Sequence, residues 1–191
     1  MTLNAMTQSQ KPTISYHVAN TESDRIVVYQ LRYKVFTEEF NDHRYALPKI
    51  KEYKDKFDHE NALIIYAKTR TNVIGTLRGI FRHNGGFYDE EHGLLELANL
   101  LQQPLEWIIE NTIFFTRGAI HPEYRGANIF HHLNRKLENH AIEKNMKVII
   151  VTVAPNNTKL INWYKHHDYI QYGFGHNSKN GWNGVNLYKL L

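Results

Sequence analysis

The apolar residues in the first half of the chain follow the period of a strand, then of a helix, then of a strand again. Residues 14–19 alternate as an edge strand does, and residues 22–40 carry apolar side chains every three or four positions, which predicts a helix. Residues 49–60 are charged and predict a loop. Two runs rich in β-branched residues, 62–68 and 73–81, are separated by a polar turn and predict a β-hairpin.

The second half has the pattern of a strand–helix–strand unit at its centre. Residues 148–153 are almost continuously apolar, which is typical of a strand buried on both faces. The predicted elements are, in chain order, a helical segment over 89–110 interrupted at Pro104, a strand over 111–120, a helix over 127–144, the strand over 148–153, a short helix over 158–167, and strands over 169–174 and 183–190.

This order of elements predicts a mixed α/β fold of the α+β class, built around one central sheet. The strand–helix–strand unit needs a crossover connection, so at least one pair of strands is expected to be parallel. No internal repeat, low-complexity tract or linker divides the chain. We therefore expect one domain over residues 13–191, with a helical insertion near 83–110 and a loosely ordered segment over residues 1–12.

Composition and charge narrow the kinds of function that such a domain can have. The chain has 191 residues, of which 42% are hydrophobic and 13% aromatic, enough for a core of ordinary size. Lys and Arg number 23 against 19 Asp and Glu, a net charge of +4 that suits an anionic ligand and lacks the dense basic stripes of nucleic-acid-binding proteins. The absence of Cys excludes disulfides, a thiolate nucleophile and iron–sulfur ligation by this chain.

Targeting signals and metal sites are not indicated by the sequence. Residues 1–12 are polar, unlike a signal peptide, and no apolar run is long enough to cross a bilayer, so we expect a cytoplasmic protein without a membrane span. The twelve His include no pair three or four residues apart, the spacing that places two ligands on one helix face. We therefore expect no metal site. Because the chain also lacks dense basic stripes, we expect no nucleic acid as a partner.

A candidate anion site lies where the strand over 111–120 ends in a turn that opens into the next helix. The first N–H groups of a helix have no partner within it and carry a partial positive charge, an arrangement that binds phosphate. Arg125 adds a fixed positive charge at this turn. From these residues alone, a phosphate site and an ordinary strand-to-helix turn fit the sequence equally well.

Residues 121–130, HPEYRGANIF, resemble the corresponding turn of the Gcn5-related N-acetyltransferase (GNAT) superfamily, as does Asn157 followed seven residues later by Tyr164. The resemblance implies a mixed, mostly antiparallel sheet of about seven strands flanked by helices, in which the fourth and fifth strands are parallel and splay apart. It also implies that the donor is acetyl-coenzyme A or a longer acyl-coenzyme A, with its pyrophosphate bound by the turn and its pantetheine held between the splayed strands.

The resemblance implies a role for each matching residue of this region. Tyr164 is implied as the general acid that protonates the departing thiolate, Asn157 as a contact to the pantetheine, and Ile120 as a source of backbone contacts. A buried aromatic residue on a short helix is the alternative interpretation of Tyr164. The residues implied in binding the pyrophosphate are Arg125, Gly126, Ala127, Asn128, Ile129 and Phe130.

Two positions of the turn depart from the superfamily's pattern, which has small residues there. Asn128 is compatible with the left-handed backbone conformation that turns use. Phe130 is a large residue at a place where the backbone should approach a pyrophosphate closely. Either its ring turns away into the core, or the donor is held differently from ordinary acetyl-coenzyme A.

Three segments of the first half of the chain, LRYKVF at 31–36, DKFD at 55–58 and VIGTLR at 73–78, carry a second resemblance. They resemble segments of the autoinducer (acyl-homoserine-lactone) synthases and of the related long-chain N-acyl amino acid synthases, which also have a helical insertion before the fourth strand. The autoinducer synthases carry a Glu three residues before the Arg of that strand, but here the position is Phe114, which argues against S-adenosylmethionine as the acceptor and against lactone formation. The residues implied in substrate binding are Arg32, Phe36, Asp55, Asp58, Arg78 and Arg117.

Physical reasoning leaves two roles open for the charged residues of this set. Arg32 and Phe36 are four residues apart on the predicted helix and therefore face the same side. Asp55 and Asp58 either orient a cationic amine or pair with Arg32 and Arg78 in a structural ion network.

Together these patterns predict an N-acyltransferase that moves an acyl group from acyl-coenzyme A to the amine of a small molecule by direct attack. One alternative is a long-chain N-acyl amino acid synthase that uses acyl carrier protein, whose acidic surface suits the basic charge. Another is a non-catalytic acyl-thioester-binding module, which Phe130 leaves open. The sequence leaves the general base open between His83, Glu96, Glu123 and a water chain. It also leaves two roles open for the leucines of residues 94–107, which either line a pocket for the acyl chain or pack on the sheet.

Overall fold

The structure is a computed structural model that describes residues 12–59, 62–81, 92–177 and 182–191. The predicted loose segment over residues 1–12 lies outside these ranges except for Pro12, and so does His83. The helical insertion is described from His92 onward. None of the helices within the four ranges has the length and hydropathy that a bilayer crossing requires.

The elements of the described chain follow the predicted order. The strands are β1 (Ser15–Val18), β2 (Ala46–Leu47), β3 (Glu52–Tyr53), β4 (Leu63–Lys68), β5 (Val73–Phe81), β6 (Thr112–Ile120), β7 (Val148–Val153), β8 (Ile170–Asn177) and β9 (Trp182–Leu190). The helices are α1 (Glu22–Arg32), which continues as a π-helical segment (Tyr33–Glu39), α2 (Leu94–Leu101), α3 (Leu105–Asn111), a 3₁₀ turn (Pro122–Tyr124), α4 (Ile129–Glu143) and α5 (Thr158–Lys165).

Within the described ranges, β2 and β3 form a small hairpin and the other strands form a seven-stranded sheet in the order β1-β4-β5-β6-β7-β9-β8. Neighbouring strands of this sheet are antiparallel except β6 and β7, which are parallel. The predicted α+β fold class, with its mostly antiparallel sheet and its one parallel pair, is confirmed.

Two local features differ from the sequence pattern. The helix predicted over 22–40 is α-helical as far as Arg32 and continues as a π-helix to Glu39. The segment 49–60, predicted as a loop, contains one strand of the hairpin β2–β3. Each strand of that hairpin pairs over two residues, which is too short for an alternating pattern to reveal.

Alternate residues of the central strands face opposite sides of the sheet, and a separate core forms on each side. Ile149 and Val151 of β7 pack in one core with Leu133 and Leu137 of α4. Ile150, between them in the sequence, packs in the other core with residues of α2 and α3. The helices α4 and α2 therefore cover opposite faces of β7.

The leucine-rich insertion packs on its face of the sheet through part of its leucines. Leu94 and Leu97 are buried against the sheet. Leu95 and Leu100 are 56% and 52% exposed. Packing on the sheet, one of the two roles that the sequence left open, accounts for the buried leucines.

The close approach of α4 to β5 fixes the position of the turn that precedes this helix. A β-carbon placed on Gly75 would lie 2.7 Å from Cγ2 of Ile129, and one on Gly79 would lie 3.1 Å from Cδ1 of Leu137. A larger residue at either position would overlap with the side chains of the helix, because protein interiors are close-packed. The two glycines thus hold the start of α4 against the centre of the sheet.

β6 and β7 pair only over their first residues. Thr112 to Phe115 pairs with Val148 to Val151, whereas β6 runs on to Ile120 and β7 to Val153 without further pairing between them. The two strands therefore separate, as the resemblance implied for the splayed pair. We call the region between residues 116–120 of β6 and residues 152–153 of β7 the β6–β7 opening.

Candidate active site

A β-bulge changes the course of β6 beside the β6–β7 opening. Arg78 of β5 pairs with Thr116, and Thr76 pairs with Ala119. Two residues of β6, at positions 117 and 118, therefore face one residue of β5, at position 77. Arg117 has a φ of 56°, in the left-handed region that residues other than glycine seldom occupy. Such a bulge bends the strand and re-aims its side chains.

The backbone of Ile120 directs a hydrogen-bond donor at the opening. The N–H of His121 donates to the carbonyl of Ile74 on β5 at 2.9 Å. Because successive N–H groups of a strand point to opposite edges, the N–H of Ile120 points to the edge from which β7 has separated. A backbone donor placed in this way can stabilise the oxyanion of a tetrahedral intermediate.

Five charged side chains from separate parts of the chain meet at the bulge. Nη1 of Arg32 lies 2.7 Å from Oδ1 of Asp58. Nη1 of Arg78 lies 2.7 Å from Oδ1 of Asp55 and 2.8 Å from Oδ1 of Asp58. Nη2 of Arg117 lies 2.5 Å from Oδ2 of Asp55. We call these five residues, all of which the sequence resemblance implied in substrate binding, the charge cluster.

Both carboxylates of the charge cluster are engaged by arginines and by backbone N–H groups. Oδ1 of Asp55 also accepts from the N–H of Phe57 at 2.9 Å, and Oδ2 of Asp58 accepts from the N–H of Asp55 at 3.0 Å. Although burial alone would raise the pKa of Asp55, the hydrogen bonds and charge of Arg78 hold this pKa well below its ordinary value. The acids are paired with arginines and do not serve as free partners for a cationic amine.

The charge cluster holds three guanidinium groups against two carboxylates, an excess of one positive charge. The side chains of Arg32 and Arg78 are 0% and 1% exposed, whereas that of Arg117 is 19% exposed. Arg117 is therefore the guanidinium of the cluster that reaches solvent, and its Nε and Nη2 atoms already donate to Oδ2 of Asp55 at 2.9 and 2.5 Å. A partly exposed guanidinium beside the opening is suited to bind a carboxylate or another anionic group.

Aromatic rings at the hairpin β2–β3 lie against the exposed guanidinium. The guanidinium carbon of Arg117 is 4.6 Å from the ring centre of Tyr45 and 5.7 Å from that of Tyr53. Phe36, also implied in substrate binding, contacts the ring of Tyr53 at 4.9 Å between centres. The sequence analysis missed both tyrosines, because no periodic pattern marks so short a hairpin.

Two residues of the turn between β6 and α4 have left-handed backbone conformations. Gly126 has a φ of 84°, and no atom lies within 4 Å of a β-carbon placed on it. Asn128 has a φ of 61° and is the N-cap of α4, as its tolerance of the left-handed region allowed. Ala127 is exposed and Ile129 is buried, so Ile129 offers the turn its backbone N–H rather than its side chain.

Arg125, the cation of this turn, is paired with Glu39 at the end of the π-helical segment. Its Nη1 and Nη2 atoms lie 2.5 and 2.6 Å from the two oxygens of that carboxylate. Hydrogen bonding from Arg125 lowers the pKa of Glu39 below its ordinary value. The side chain of Arg125 is 42% exposed, so an anion that binds it must compete with Glu39.

Asn157 and Tyr164 lie on α5, which follows β7. Asn157 is exposed and caps the helix, its Oδ1 accepting from the N–H of Leu160 at 3.3 Å. Tyr164 is 3% exposed, and its ring packs edge-to-face on Tyr169. Burial, with a smaller contribution from the charge of Glu138, raises the pKa of Tyr164. Its hydroxyl is therefore protonated at neutral pH, the form that a general acid requires.

Phe130 turns inward from the start of α4. A β-carbon placed on Gly118 of β6 would lie 3.1 Å from Cε2 of Phe130. The centre of the Phe130 ring lies 4.9 Å from that of Trp163 and 5.9 Å from that of Tyr164. Of the two outcomes expected from the sequence, the ring thus turns toward the core, where it lies between β6 and α5.

Two of the residues that the sequence offered as the general base, Glu96 and Glu123, lie in separate parts of the fold. The carboxylate of Glu96 is folded over β8, with one oxygen 2.1 Å from a β-carbon placed on Gly173, and Glu123 is exposed in the 3₁₀ turn. The sequence analysis missed His92, whose Nδ1 lies 2.9 Å from Oγ1 of Thr152 at the opening. Burial lowers the pKa of His92 to about 3, so this imidazole is neutral at neutral pH.

The sequence profile of the acetyltransferase (GNAT) family matches residues 26–169. The chain belongs to this family. It is an acyltransferase enzyme, and the GNAT family generally takes its acyl group from acetyl-coenzyme A or acyl-coenzyme A.

Solved structures with the same fold include members of both groups that the sequence resembles. FeeM, an N-acyl amino acid synthase from uncultured soil microbes, has a TM-score of 0.71 and 12% identity, over 94% of this chain and 92% of that chain. The AHL synthase LasI has a TM-score of 0.66 and 13% identity, over 94% and 91%. The ribosomal-protein-S18-alanine N-acetyltransferase from Escherichia coli has a TM-score of 0.61 and 9% identity, over 93% and 94%.

At such low identities these structures show the fold alone. No curated protein matches the chain in sequence. The predicted membership of the GNAT superfamily is confirmed, and the chain shares its fold with two synthases of the kind that its first half resembles.

The charge cluster predicts a large effect of Asp55→Asn on stability. Loss of this carboxylate leaves buried arginine charge unpaired, so the free energy of unfolding should fall by about 3 kcal/mol. The pKa of Asp55 is lowered by folding, so the carboxylate stabilises the fold above about pH 4, the ordinary value for Asp, and its contribution is lost as the pH falls further. Urea unfolding followed by circular dichroism between pH 7 and pH 3 measures both effects.

The matched control is Asp168→Asn, which removes a carboxylate from an exposed position. This variant should keep the stability of the wild type within about 0.5 kcal/mol. Asp55→Asn should lose less stability than the wild type between pH 5 and pH 3. An equal loss in both proteins would show that Asp55 is not ionised and paired as the structure indicates.

Proposed function

We propose that this protein is an N-acyltransferase that moves an acyl group from an acyl-coenzyme A thioester to the amine of a small-molecule acceptor. The observation that carries the proposal is the β6–β7 opening of a GNAT-family chain, with the N–H of Ile120 at its edge. The turn between β6 and α4, residues 121–128, is the proposed site of the donor's pyrophosphate, and we call it the phosphate turn. It lies at the end of the same strand and has Gly126 and Asn128 in left-handed conformations. Donor binding and oxyanion stabilisation thus belong to one continuous stretch of backbone.

The proposed reaction is a direct attack without a covalent enzyme intermediate, in keeping with a chain that has no Cys. The neutral amine nitrogen bonds to the thioester carbon, and the carbonyl oxygen becomes an oxyanion that accepts from the N–H of Ile120. One such backbone donor is typically worth about 3 kcal/mol of barrier. The tetrahedral intermediate then expels the thiolate as the amide forms.

Tyr164 is the proposed source of the proton for the departing thiolate. A thiol with an ordinary pKa of about 8.5 is already a fair leaving group, so a nearby neutral phenol suffices. Burial raises the pKa of Tyr164, which makes its phenol a weaker acid than that of an exposed tyrosine, so the proton is transferred only as negative charge develops on the sulfur. The proton lost by the attacking amine, carried by solvent, restores the phenol and balances the reaction.

The charge cluster favours an acceptor that carries an anionic group beside its amine. Asp55 and Asp58 are occupied by arginines, and the cluster, which has one more guanidinium than carboxylates, reaches solvent at Arg117. A carboxylate bound there would hold an amino acid with its amine near the bulge. This observation favours N-acylation of an amino acid over acylation of a polyamine or another cationic acceptor.

Acyl carrier protein is a second candidate for the donor. Arg125, the cation of the phosphate turn, already has the carboxylate of Glu39 as a partner. A carrier protein would bring its thioester to the opening by surface contacts and would depend less on this arginine. Its acidic surface also suits the chain's net charge of +4.

Thermal-shift titration tests the coenzyme donor. We expect acetyl-, octanoyl- or palmitoyl-coenzyme A to raise the melting temperature, since a ligand at a hundred times its Kd stabilises the folded state by about 2.7 kcal/mol. Free adenosine is the control for binding that does not use the thioester arm. If none of the three thioesters stabilises the protein, the coenzyme donor is wrong. Stabilisation without turnover on any amine would favour a thioester-binding module.

Tyr164→Phe tests the general acid. Loss of the phenolic proton should lower kcat on the order of a hundredfold while the Kd of the donor changes little. Tyr188→Phe removes a hydroxyl from the core on the opposite face of the sheet and should leave kcat unchanged. Steady-state kinetics and calorimetric titration measure the two quantities. Full activity in Tyr164→Phe would remove this residue from the mechanism.

A further inference from the structure

Phe130 places its ring between β6, which forms one side of the β6–β7 opening, and α5, the helix that follows β7. Its ring is in van der Waals range of the backbone at Gly118 of β6 and packs edge-to-face on Trp163 and Tyr164 of α5. In the proposed function the thioester arm lies between the N–H of Ile120 on β6 and the phenol of Tyr164 on α5, and these contacts place the ring between the same two elements. In this position the ring separates the strand that carries Ile120 from the proposed general acid.

The other two rings of this group are anchored by further contacts. Trp163 is stacked on His167, with 3.9 Å between ring centres and an angle of 21° between the rings. Tyr164 is fully enclosed and packs on Tyr169 at 4.7 Å. Phe130 is only half-buried and meets its neighbours through ring edges. Phe130 makes fewer contacts with other aromatic rings than Trp163 or Tyr164 does, which makes it the ring of the three that can move most easily.

The place of Phe130 in the chain also suits a moving side chain. Phe130 is the second residue of α4 and follows the turn between β6 and α4 closely. The first residue of the helix, Ile129, packs against the backbone of β5 at Gly75, where no β-carbon blocks the contact. The backbone of Phe130 is therefore fixed, while its side chain can turn about its own bonds. Glycine at position 118 leaves room for the ring in its inward position, since a β-carbon there would lie 3.1 Å from Cε2.

We infer that Phe130 controls entry of the thioester arm into the β6–β7 opening, and that its ring leaves Gly118 when the arm binds. This inference rests on the proposed function. Donor binding then includes the displacement of the ring, so part of the binding free energy is spent on opening the site. The same step brings the thioester between the N–H of Ile120 and Tyr164. Phe130 thereby sets the affinity and the association rate for the donor.

Phe130→Ala tests the inference through binding kinetics. Stopped-flow tryptophan fluorescence gives the association rate constant of coenzyme A and of acetyl-coenzyme A, and calorimetry gives the Kd. Because the ring no longer has to be displaced, we expect the association rate constant to rise at least fivefold and the Kd to fall by a similar factor. A merely structural role would lower the melting temperature without accelerating association.

Two further variants complete the test. Phe174→Ala removes a phenylalanine ring that is 69% exposed on β8 and should bind both ligands as the wild type does. Phe130→Leu keeps an apolar side chain without the planar ring; it should show an intermediate rate and carries the test if Phe130→Ala does not fold.

The possible failures are distinguishable. If the wild type binds coenzyme A while the folded Phe130 variants bind it no faster, or more weakly, the inference is wrong and the proposed function stands. If neither the wild type nor any variant binds coenzyme A or acetyl-coenzyme A, the coenzyme donor falls, and the inference falls with it.

Discussion

Two buried carboxylates hold three arginines that come from a helix and two strands, and the geometry of the candidate site depends on this contact. Asp55 ties Arg78 of β5 to Arg117 of β6, and Asp58 ties Arg78 to Arg32 of α1. The pairing holds Arg117 in a left-handed conformation that an isolated strand would avoid, and so supports the bulge. The bulge lies beside the strand end that turns the N–H of Ile120 toward the opening. Because the arginines outnumber the carboxylates, the same cluster that supports the bulge also leaves a positive charge at its surface.

The acceptor side and the donor side of the proposed site depend on different interactions. On the proposed acceptor side, both carboxylates are paired with arginines, and the surplus of guanidinium groups over carboxylates would favour an anionic group over a cationic one. The donor side depends on backbone geometry and on aromatic packing. There the turn offers N–H groups, Glu39 neutralises Arg125, and Phe130 lies between Gly118 and Tyr164. The pairing of Arg125 with Glu39 and the ring of Phe130 would each make binding of the donor less favourable than it would be at a turn with a free arginine and a small residue at position 130.

The sequence predicted the elements that depend on local pattern and left open those that depend on distant contacts. The apolar run at 148–153 and the turn at 121–130 each point to one structure, because the strand's burial and the turn's conformations are local properties. The partners of Asp55 and Asp58 could not be chosen, since a carboxylate beside an arginine and one beside an amine look alike in sequence. The pair formed by Arg125 and Glu39 joins residues 86 positions apart, and no periodicity indicates it. The inward turn of Phe130 depends on the packing space beside Gly118, which only the folded sheet creates.

The most direct test of the account measures thiol release from acyl-coenzyme A in the presence of matched acceptors. Because the chain has no Cys, a thiol reagent reports only the thiol that leaves the donor. The acceptors are pairs of an amino acid and the amine left by its decarboxylation, such as phenylalanine and phenethylamine, assayed with acetyl-, octanoyl- and palmitoyl-coenzyme A. If the charge cluster binds the acceptor's carboxylate, some amino acid is acylated with a kcat/KM at least tenfold above that of its amine, and Arg117→Gln removes this preference. Equal use of the two acceptors, or a preference for the amine, would contradict the account.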